Sequence, residues 1–266
     1  MAEILHSTCR DRLRQRRSPL PRILGHRGAR LLAPENTLPG FRAAISEGAD
    51  GVELDVWRCR TGEVVVHHDS DTGRTCGEAL RVSSASLAEL RRLDAGGWKG
   101  ARFAGERIPT LAEVLDALPG AIVNVELKSS GVPDLALPRA VARIVRDAAA
   151  GERVVASSFD LVLLAAFRAV APRVRAGVLF AADQAWRARA AAGVALLGAR
   201  AVHPEHTLVT PERAARWAAR GLAVNTWTVD APAEVRRVAA LGAAAIITNR
   251  PAVARAALAS RPQVQS

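Results

Sequence analysis

Three acidic residues and two histidines stand out in this chain by type and spacing. Glu53 and Asp55 lie one residue apart in Gly51-Val-Glu-Leu-Asp-Val56. Side chains alternate faces along a strand, so both carboxylates share one face while Val52, Leu54 and Val56 take the other. Carboxylates crowded onto an apolar scaffold repel unless something neutralises them, and a hard divalent cation is the usual answer. A second run has the same character: Asn124, Glu126 and Lys128 alternate with Val123, Val125 and Leu127. Glu53, Asp55 and Glu126 make three oxygen donors, a set that favours Mg²⁺ or Ca²⁺. Zinc fits less well, because no cysteine or closely spaced histidine pair joins them.

His26 ends the apolar run Ile23-Leu-Gly25, and His67-His68 follows Val64-Val-Val66. Imidazoles at such positions suit proton transfer near neutral pH. His67 and His68 are adjacent and point opposite ways, so parity does not choose between them. Arg27 is adjacent to His26 and has the wrong parity to share its site. It joins the site only if the strand has ended and the backbone has turned, which Gly28 allows. Asn225 and Trp227 alternate on a later strand, and Trp227 can pack against the carbon skeleton of a small polyol. Phe159 is a weaker candidate of that kind. His203 and His206 read as structural or rim residues, and Glu35 and Asn36 as supports for the loop behind His26.

Stepping outward, strands are expected over 22–26, 51–57, 64–68, 121–127, 153–158, 174–180, 200–204, 222–229 and 243–248. Asn36 or Thr37 caps a helix that runs to about Glu47 and is closed by Gly48. A further helix opens at the capping box Thr110-x-x-Glu113. Later helices are expected near 138–149, 160–170, 183–191, 210–220, 231–241 and 251–259. This alternation implies a parallel sheet with helices outside. The closed form, an α/β (β/α)8 TIM barrel, places every candidate at the carboxyl end of a strand, where such barrels hold their sites. One of the nine strand candidates is then surplus. An open doubly wound sheet is the alternative, but Gly25-x-x-Gly28 does not fit its phosphate-loop fingerprint. Residues 69–109, rich in Gly, Ser, Asp and Arg, read as a short insertion after the third strand that covers the site mouth. Within them Ser86-x-x-Glu89 is a capping box.

Composition bounds the rest. The 266 residues are 49% apolar, enough for one barrel domain over 22–266. No apolar run reaches the ~18 residues of a membrane span, and no secretory-signal order opens the chain. Cys9, Cys59 and Cys76 read as free thiols in a reducing, cytoplasmic setting, with one disulfide as the alternative. The net charge is +11. Residues 1–21 read as a flexible basic tail, with Arg-Leu-Arg-Gln-Arg-Arg at 12–17. Such a run can grip nucleic acid or an anionic membrane. No aromatic residue is interleaved to stack on bases, so no nucleic-acid partner is expected.

His26-Arg27, Pro34-Glu-Asn-Thr37, Glu53-x-Asp55 and His68-Asp69 come in that order. Glu126-Leu-Lys128, Val224-Asn-Thr-Trp-Thr-Val-Asp230 and Ile246-Ile-Thr-Asn-Arg-Pro251 follow them. The series resembles the glycerophosphodiester phosphodiesterases, from about Arg22 to about Ala257. The resemblance implies a phospholipase-C-like phosphodiesterase barrel that cleaves a small glycerophosphodiester to sn-glycerol 3-phosphate and an alcohol. It implies Glu53, Asp55 and Glu126 as metal ligands and His26 and His68 as the acid–base pair, selecting His68 because it precedes Asp69. Arg27, Lys128 and Trp227 would bind the phosphate and the substrate. Asn249 departs from the pattern, which has aspartate there; the departure bears on local hydrogen bonding. Two rival readings remain: a lysophospholipase D-type or other alkyl phosphodiesterase, disfavoured by a polar 69–109, and a non-catalytic anion-binding protein.

Overall fold

The protein was analysed as a computed structural model that describes residues 20–182, 194 and 197–260. The basic run at 12–17, Cys9 and the whole of the helix expected at 183–191 lie outside the described residues.

Eight parallel strands close on themselves. They are β1 (Arg22–His26), β2 (Gly51–Arg58), β4 (Ile122–Leu127), β5 (Val154–Ser158), β6 (Arg175–Phe180), β7 (Ala201–Pro204), β8 (Ala223–Thr226) and β9 (Ala245–Thr248). Their order around the barrel is β1-β9-β8-β7-β6-β5-β4-β2, and β1 pairs with β2 to close the ring. The surplus strand is β3 (Val64–Val66), which runs antiparallel to β2 through Val56↔Val66 and Arg58↔Val64. The link over 59–63 is far too short for a parallel return, which takes a dozen or more residues. The excursion from the barrel therefore includes β3, and His68 lies just beyond a hairpin strand rather than at the end of a stave.

The helices are α1 (Leu38–Ser46), α2 (Gly73–Cys76), α3 (Leu87–Leu90), α4 (Leu111–Ala117), α5 (Ala136–Asp147), α6 (Leu161–Val170), α7 (Pro211–Ala219), α8 (Pro232–Ala240) and α9 (Pro251–Ala259). Their starts follow local chemistry. Thr37 is the cap of α1 and accepts from Gly40 N–H at 3.3 Å. Both expected capping boxes, Ser86/Glu89 and Thr110/Glu113, are formed. Proline stands in the first turn of α7, α8 and α9, where its missing N–H costs nothing. In α5, Leu137, Val141 and Val145 are buried at a spacing of four against the barrel.

Strand alternation splits the core in two. Ile23, Val52, Leu54, Val123, Val125, Ala156, Val202, Val224 and Ile246 face outward into the helix layer. Leu24, Ala245 and Ile247 face inward, joined by Ile122 and Trp227. The excursion has a small core of its own around Trp57, Val65, Val82, Leu90, Leu93 and Ile108. Cys59 and Cys76 are free thiols. No helix among the described residues is long and apolar enough to cross a membrane.

His203 is fully buried inside the barrel, with Asn225 Nδ2 donating to its Nε2 at 2.9 Å. A Cβ on Gly177 of β6 would collide with the His203 ring, so glycine there makes room for the imidazole. Gly177→Ala should destabilise the fold by about 1–3 kcal/mol in urea unfolding. Gly120→Ala, where a Cβ meets nothing within 4 Å, should change stability by less than about 0.5 kcal/mol. Equal stabilities would show that the ring does not fill this space.

Burial pushes the His203 pKa down from 6.5 to about 3. The unfolded chain therefore takes up a proton below about pH 6.5 that the folded chain refuses until about pH 3, and stability falls with pH across that window. Replacing His203 by Gln should remove one proton's worth of slope, about 1.4 kcal/mol per pH unit at full effect, from the stability–pH curve between pH 6 and 4. Chemical denaturation across that range reads the slope.

Candidate functional site

Register brings the acidic residues together. His26 of β1 pairs with Glu53 of β2, Glu53 with Asn124 of β4, and Asp55 with Glu126. All three carboxylates are buried, and each offers an oxygen within 4.8 Å of the others. Their environments differ. Asp55 accepts from Asn36 Nδ2 at 3.0 Å and faces Lys128 Nζ at 3.4 Å and Arg27 Nε at 3.5 Å. Burial works against its charge, but Lys128, His68 and Arg27 outweigh burial and hold the carboxyl well below the usual range. Glu53 receives only the Arg27 backbone N–H, at 3.0 Å. Burial and the charges of Asp55 and Glu126 push it well above the ordinary carboxylate value. Glu126 accepts from Lys128 Nζ at 2.8 Å, yet burial still lifts it to about 7.

The cluster has more acceptors than donors. Asn36 Oδ1 and Asn124 Oδ1 are also buried without a hydrogen-bond partner. An all-oxygen set that cannot ionise fully by itself suits a hard divalent cation held by Glu53, Asp55 and Glu126.

Arg27 resolves its parity problem as the sequence required. Its φ is 53°, in the left-handed region, and Gly28 follows at 86°. The turn aims the backbone N–H at Glu53 and the guanidinium at Glu35 Oε1, 3.0 Å away, and at Asp55. Glu35 does support the loop, since it binds Arg27 and, at 2.6 Å, Arg74 of the excursion. Asn36 supports it too, its backbone N–H donating to the Arg27 carbonyl at 3.0 Å, while its side chain reaches the metal-ligating candidate Asp55.

The two histidines sit in different surroundings. His26 Nδ1 is 2.8 Å from Asn249 Oδ1. Asn249 Nδ2 donates to Asp230 Oδ2 at 2.7 Å, and its backbone N–H to Asp230 Oδ1 at 2.8 Å. Asp230 thereby orients the amide with its oxygen toward His26. His26 Nδ1 must then carry the proton, leaving the Nε2 lone pair 4.0 Å from Glu53 Oε2. Burial and the Arg27 charge lower the His26 pKa to about 4.

His68 Nδ1 lies 2.6 Å from Asp69 Oδ1, and Arg74 Nε grips Asp69 Oδ2 at 2.7 Å. Burial lowers its pKa, while the charge of Asp55 works the other way. His67 is distinct. Both its nitrogens are engaged, with the Asp69 carbonyl at 2.9 Å and Thr75 Oγ1 at 3.0 Å, and it anchors the excursion.

Trp227 follows β8, its Nε1 donating to the His203 carbonyl at 2.8 Å. Its ring meets Phe159 edge-on, with centroids 5.7 Å apart. Sequence reasoning missed Asp230 and Arg74 and gave Asn249 too small a part. Arg74 is one arginine in an arginine-rich chain and carries no local signal. Asp230 and Asn249 did stand in motif runs at strand ends, where a partner for His26 could be sought.

The pattern of the glycerophosphoryl diester phosphodiesterase family matches residues 26–253. A glycerophosphodiester phosphodiesterase of Caldanaerobacter subterraneus subsp. tengcongensis is 34% identical over 234 residues, covering 86% of this chain and 94% of the relative. Among solved structures, a putative glycerophosphoryl diester phosphodiesterase from Silicibacter pomeroyi superposes with a TM-score of 0.82 at 31% identity, over 90% of this chain and 93% of that one. An Oleispira antarctica phosphodiesterase, in complex with its product sn-glycerol-3-phosphate, gives 0.81 at 27% identity, over 91% and 98%. The barrel fold is shared with these solved structures, and the family match runs over most of the sequence: the chain is an enzyme of the glycerophosphoryl diester phosphodiesterase family.

Proposed function

We propose that this enzyme hydrolyses glycerophosphodiesters to sn-glycerol 3-phosphate and an alcohol, at the centre formed by Glu53, Asp55 and Glu126. The observation that carries the reading is the convergence of those carboxylates between Arg27 and Lys128, with the Nε2 lone pair of His26 facing them. A divalent cation, Mg²⁺ or Ca²⁺, bound there would supply Lewis-acid polarisation of a phosphoryl oxygen and neutralise the carboxylates. The Oleispira relative, with sn-glycerol-3-phosphate bound, supports the substrate class.

The remaining chemistry belongs to the side chains. Arg27 and Lys128 stand beside the cluster as donors for phosphoryl oxygens whose charge grows during reaction. Family resemblance implies attack of the glycerol 2-hydroxyl on phosphorus with departure of the alcohol, which leaves a cyclic phosphate that water then opens. The first step needs a base and the leaving alkoxide an acid. His26 suits the base, because a neutral amide holds its Nδ1 proton and leaves Nε2 free. His68 suits the acid, because the Asp69 carboxylate on its Nδ1 works against burial and toward the imidazolium. The roles exchange when water opens the ring. Trp227, partly buried, offers an aromatic ring for the glycerol carbons.

Purified protein should turn over glycerophosphocholine with Mg²⁺ or Ca²⁺, lose activity to a chelator and regain it on metal addition. His26→Ala, His68→Ala and Glu53→Gln should each lower kcat by about 10²–10⁴-fold. Turnover equal to the parent in all three would refute the assignment. Asn249→Ala leaves the His26 ring free to rotate and change tautomer. It should lower kcat about tenfold or more with little change in KM, since the amide orients the base without binding substrate.

A further inference from the structure

Among the described residues, large apolar side chains are exposed at Leu20, Leu31, Leu32, Trp98, Val132, Leu135, Val162 and Val170. Scattered singly, such residues mean little. Here they are one-sided. Leu31 and Leu32 lie in the connection from β1 to α1, Trp98 in the excursion, and Val132 and Leu135 between β4 and the first turn of α5. Val162 is in the first turn of α6. In a parallel barrel all of these segments leave the carboxyl ends of the strands, the face that holds the acidic cluster. Only Leu20, before β1, and Val170, at the end of α6, lie at the opposite end.

The patch is held open by fixed contacts. Lys99 Nζ donates to the Arg30 carbonyl at 2.8 Å, and Arg102 to the Leu32 carbonyl at 3.0 Å. These bonds tie the excursion, next to Trp98, to the β1 connection that carries Leu31 and Leu32. Leu31 is 49% exposed, Leu32 48% and Trp98 44%, while Ala33 behind them is buried. Cations rim the patch: Lys99 Nζ lies 5.6 Å from the centre of the Trp98 ring, and the Arg102 guanidinium lies over Phe103. The Arg30 side chain lies near Glu35, which holds Arg27 in the site.

A tryptophan and paired leucines among lysine and arginine side chains match the boundary of an anionic bilayer. Aromatic rings and aliphatic tips enter the headgroup layer there while cations meet lipid phosphates. The net charge of +11 adds attraction of the same sign. We infer that the carboxyl-end face of the barrel docks on anionic phospholipid surfaces through Leu31, Leu32 and Trp98, so that the site mouth opens toward the lipid. The polar composition of 69–109 conceals this, because one tryptophan from the excursion is completed by two leucines from another connection.

The test uses the full chain and sucrose-loaded vesicles of phosphatidylglycerol and phosphatidylcholine. The parent should co-sediment. Leu31→Ser/Leu32→Ser/Trp98→Ala, with the same basic tail, should partition about tenfold or more weaker, with turnover of soluble glycerophosphocholine unchanged. Failure of the parent to bind, or equal binding by parent and variant, would overturn the inference and leave attraction by the tail or none at all. Should the triple variant misfold, brominated lipid decides: it should quench the parent's tryptophan emission, and Trp98→Phe should remove most of the quenching. Quenching that survives Trp98→Phe undiminished overturns the inference. Vesicle binding without diesterase activity would refute the proposed reaction and leave the docking intact.

Discussion

The site is governed by a shortage of positive charge around three buried carboxylates. Two unit charges 4 Å apart repel by about 4 kcal/mol at the effective dielectric of a protein interior near its surface, and burial adds to the cost of each charge. The protein supplies Arg27 and Lys128, and both lean on Asp55. Lys128 also reaches Glu126, whereas Glu53 receives a single backbone N–H. Asp55 is thus held ionised while Glu53 and Glu126 are driven toward their neutral forms. One further cation would let all three ionise together, and the oxygen-only donor set restricts which ions suit the place.

The same economy governs the supports. Neither histidine is left to choose its orientation: a carboxylate-anchored amide holds His26, and an arginine-anchored carboxylate holds His68. The two partners differ in charge: a neutral amide faces His26 and a carboxylate faces His68. Arg74 and Glu35 connect the two halves, because Arg74 binds Asp69 beside one histidine and Glu35 beside Arg27. Glu35 is buried, so loss of its arginine partners would strand its charge, whereas Arg74 and Asp69 are partly exposed and screened by solvent. The network therefore couples the excursion to the first connection of the barrel.

Along the barrel axis the interior changes character. Leu24, Ile122, Ala245 and Ile247 fill an apolar zone. His203 and Asn225 satisfy each other beside it, with Gly177 giving the ring its volume. The carboxylates, histidines and cations gather at the carboxyl end, and outside that end the exposed apolar side chains collect. The excursion contributes to both levels, with Arg74 within the site network and Trp98 at its rim. A segment whose composition reads as polar carries its own apolar core and one exposed tryptophan.

Face assignment was settled by the sequence alone, because alternation along a strand is a property of local backbone angles. Glu53 with Asp55, and Asn124 with Glu126, had to share faces whatever the rest of the chain did. Caps at Thr37, Ser86 and Thr110 are equally local. Strand–helix alternation then pointed to the barrel, and the barrel to its carboxyl end. Tertiary structure decided whatever depends on partners far along the chain. The return of β3 onto β2 was already fixed by its short link, but which of His67 and His68 serves as an anchor follows from packing of the excursion, where Asp69 and Thr75 engage His67. The pairing of His26 with Asn249 spans 223 residues and exists only because closing the ring makes β1 and β9 neighbours. Leu31 and Trp98 likewise come to the same end of the barrel only because the excursion is tied to the first connection.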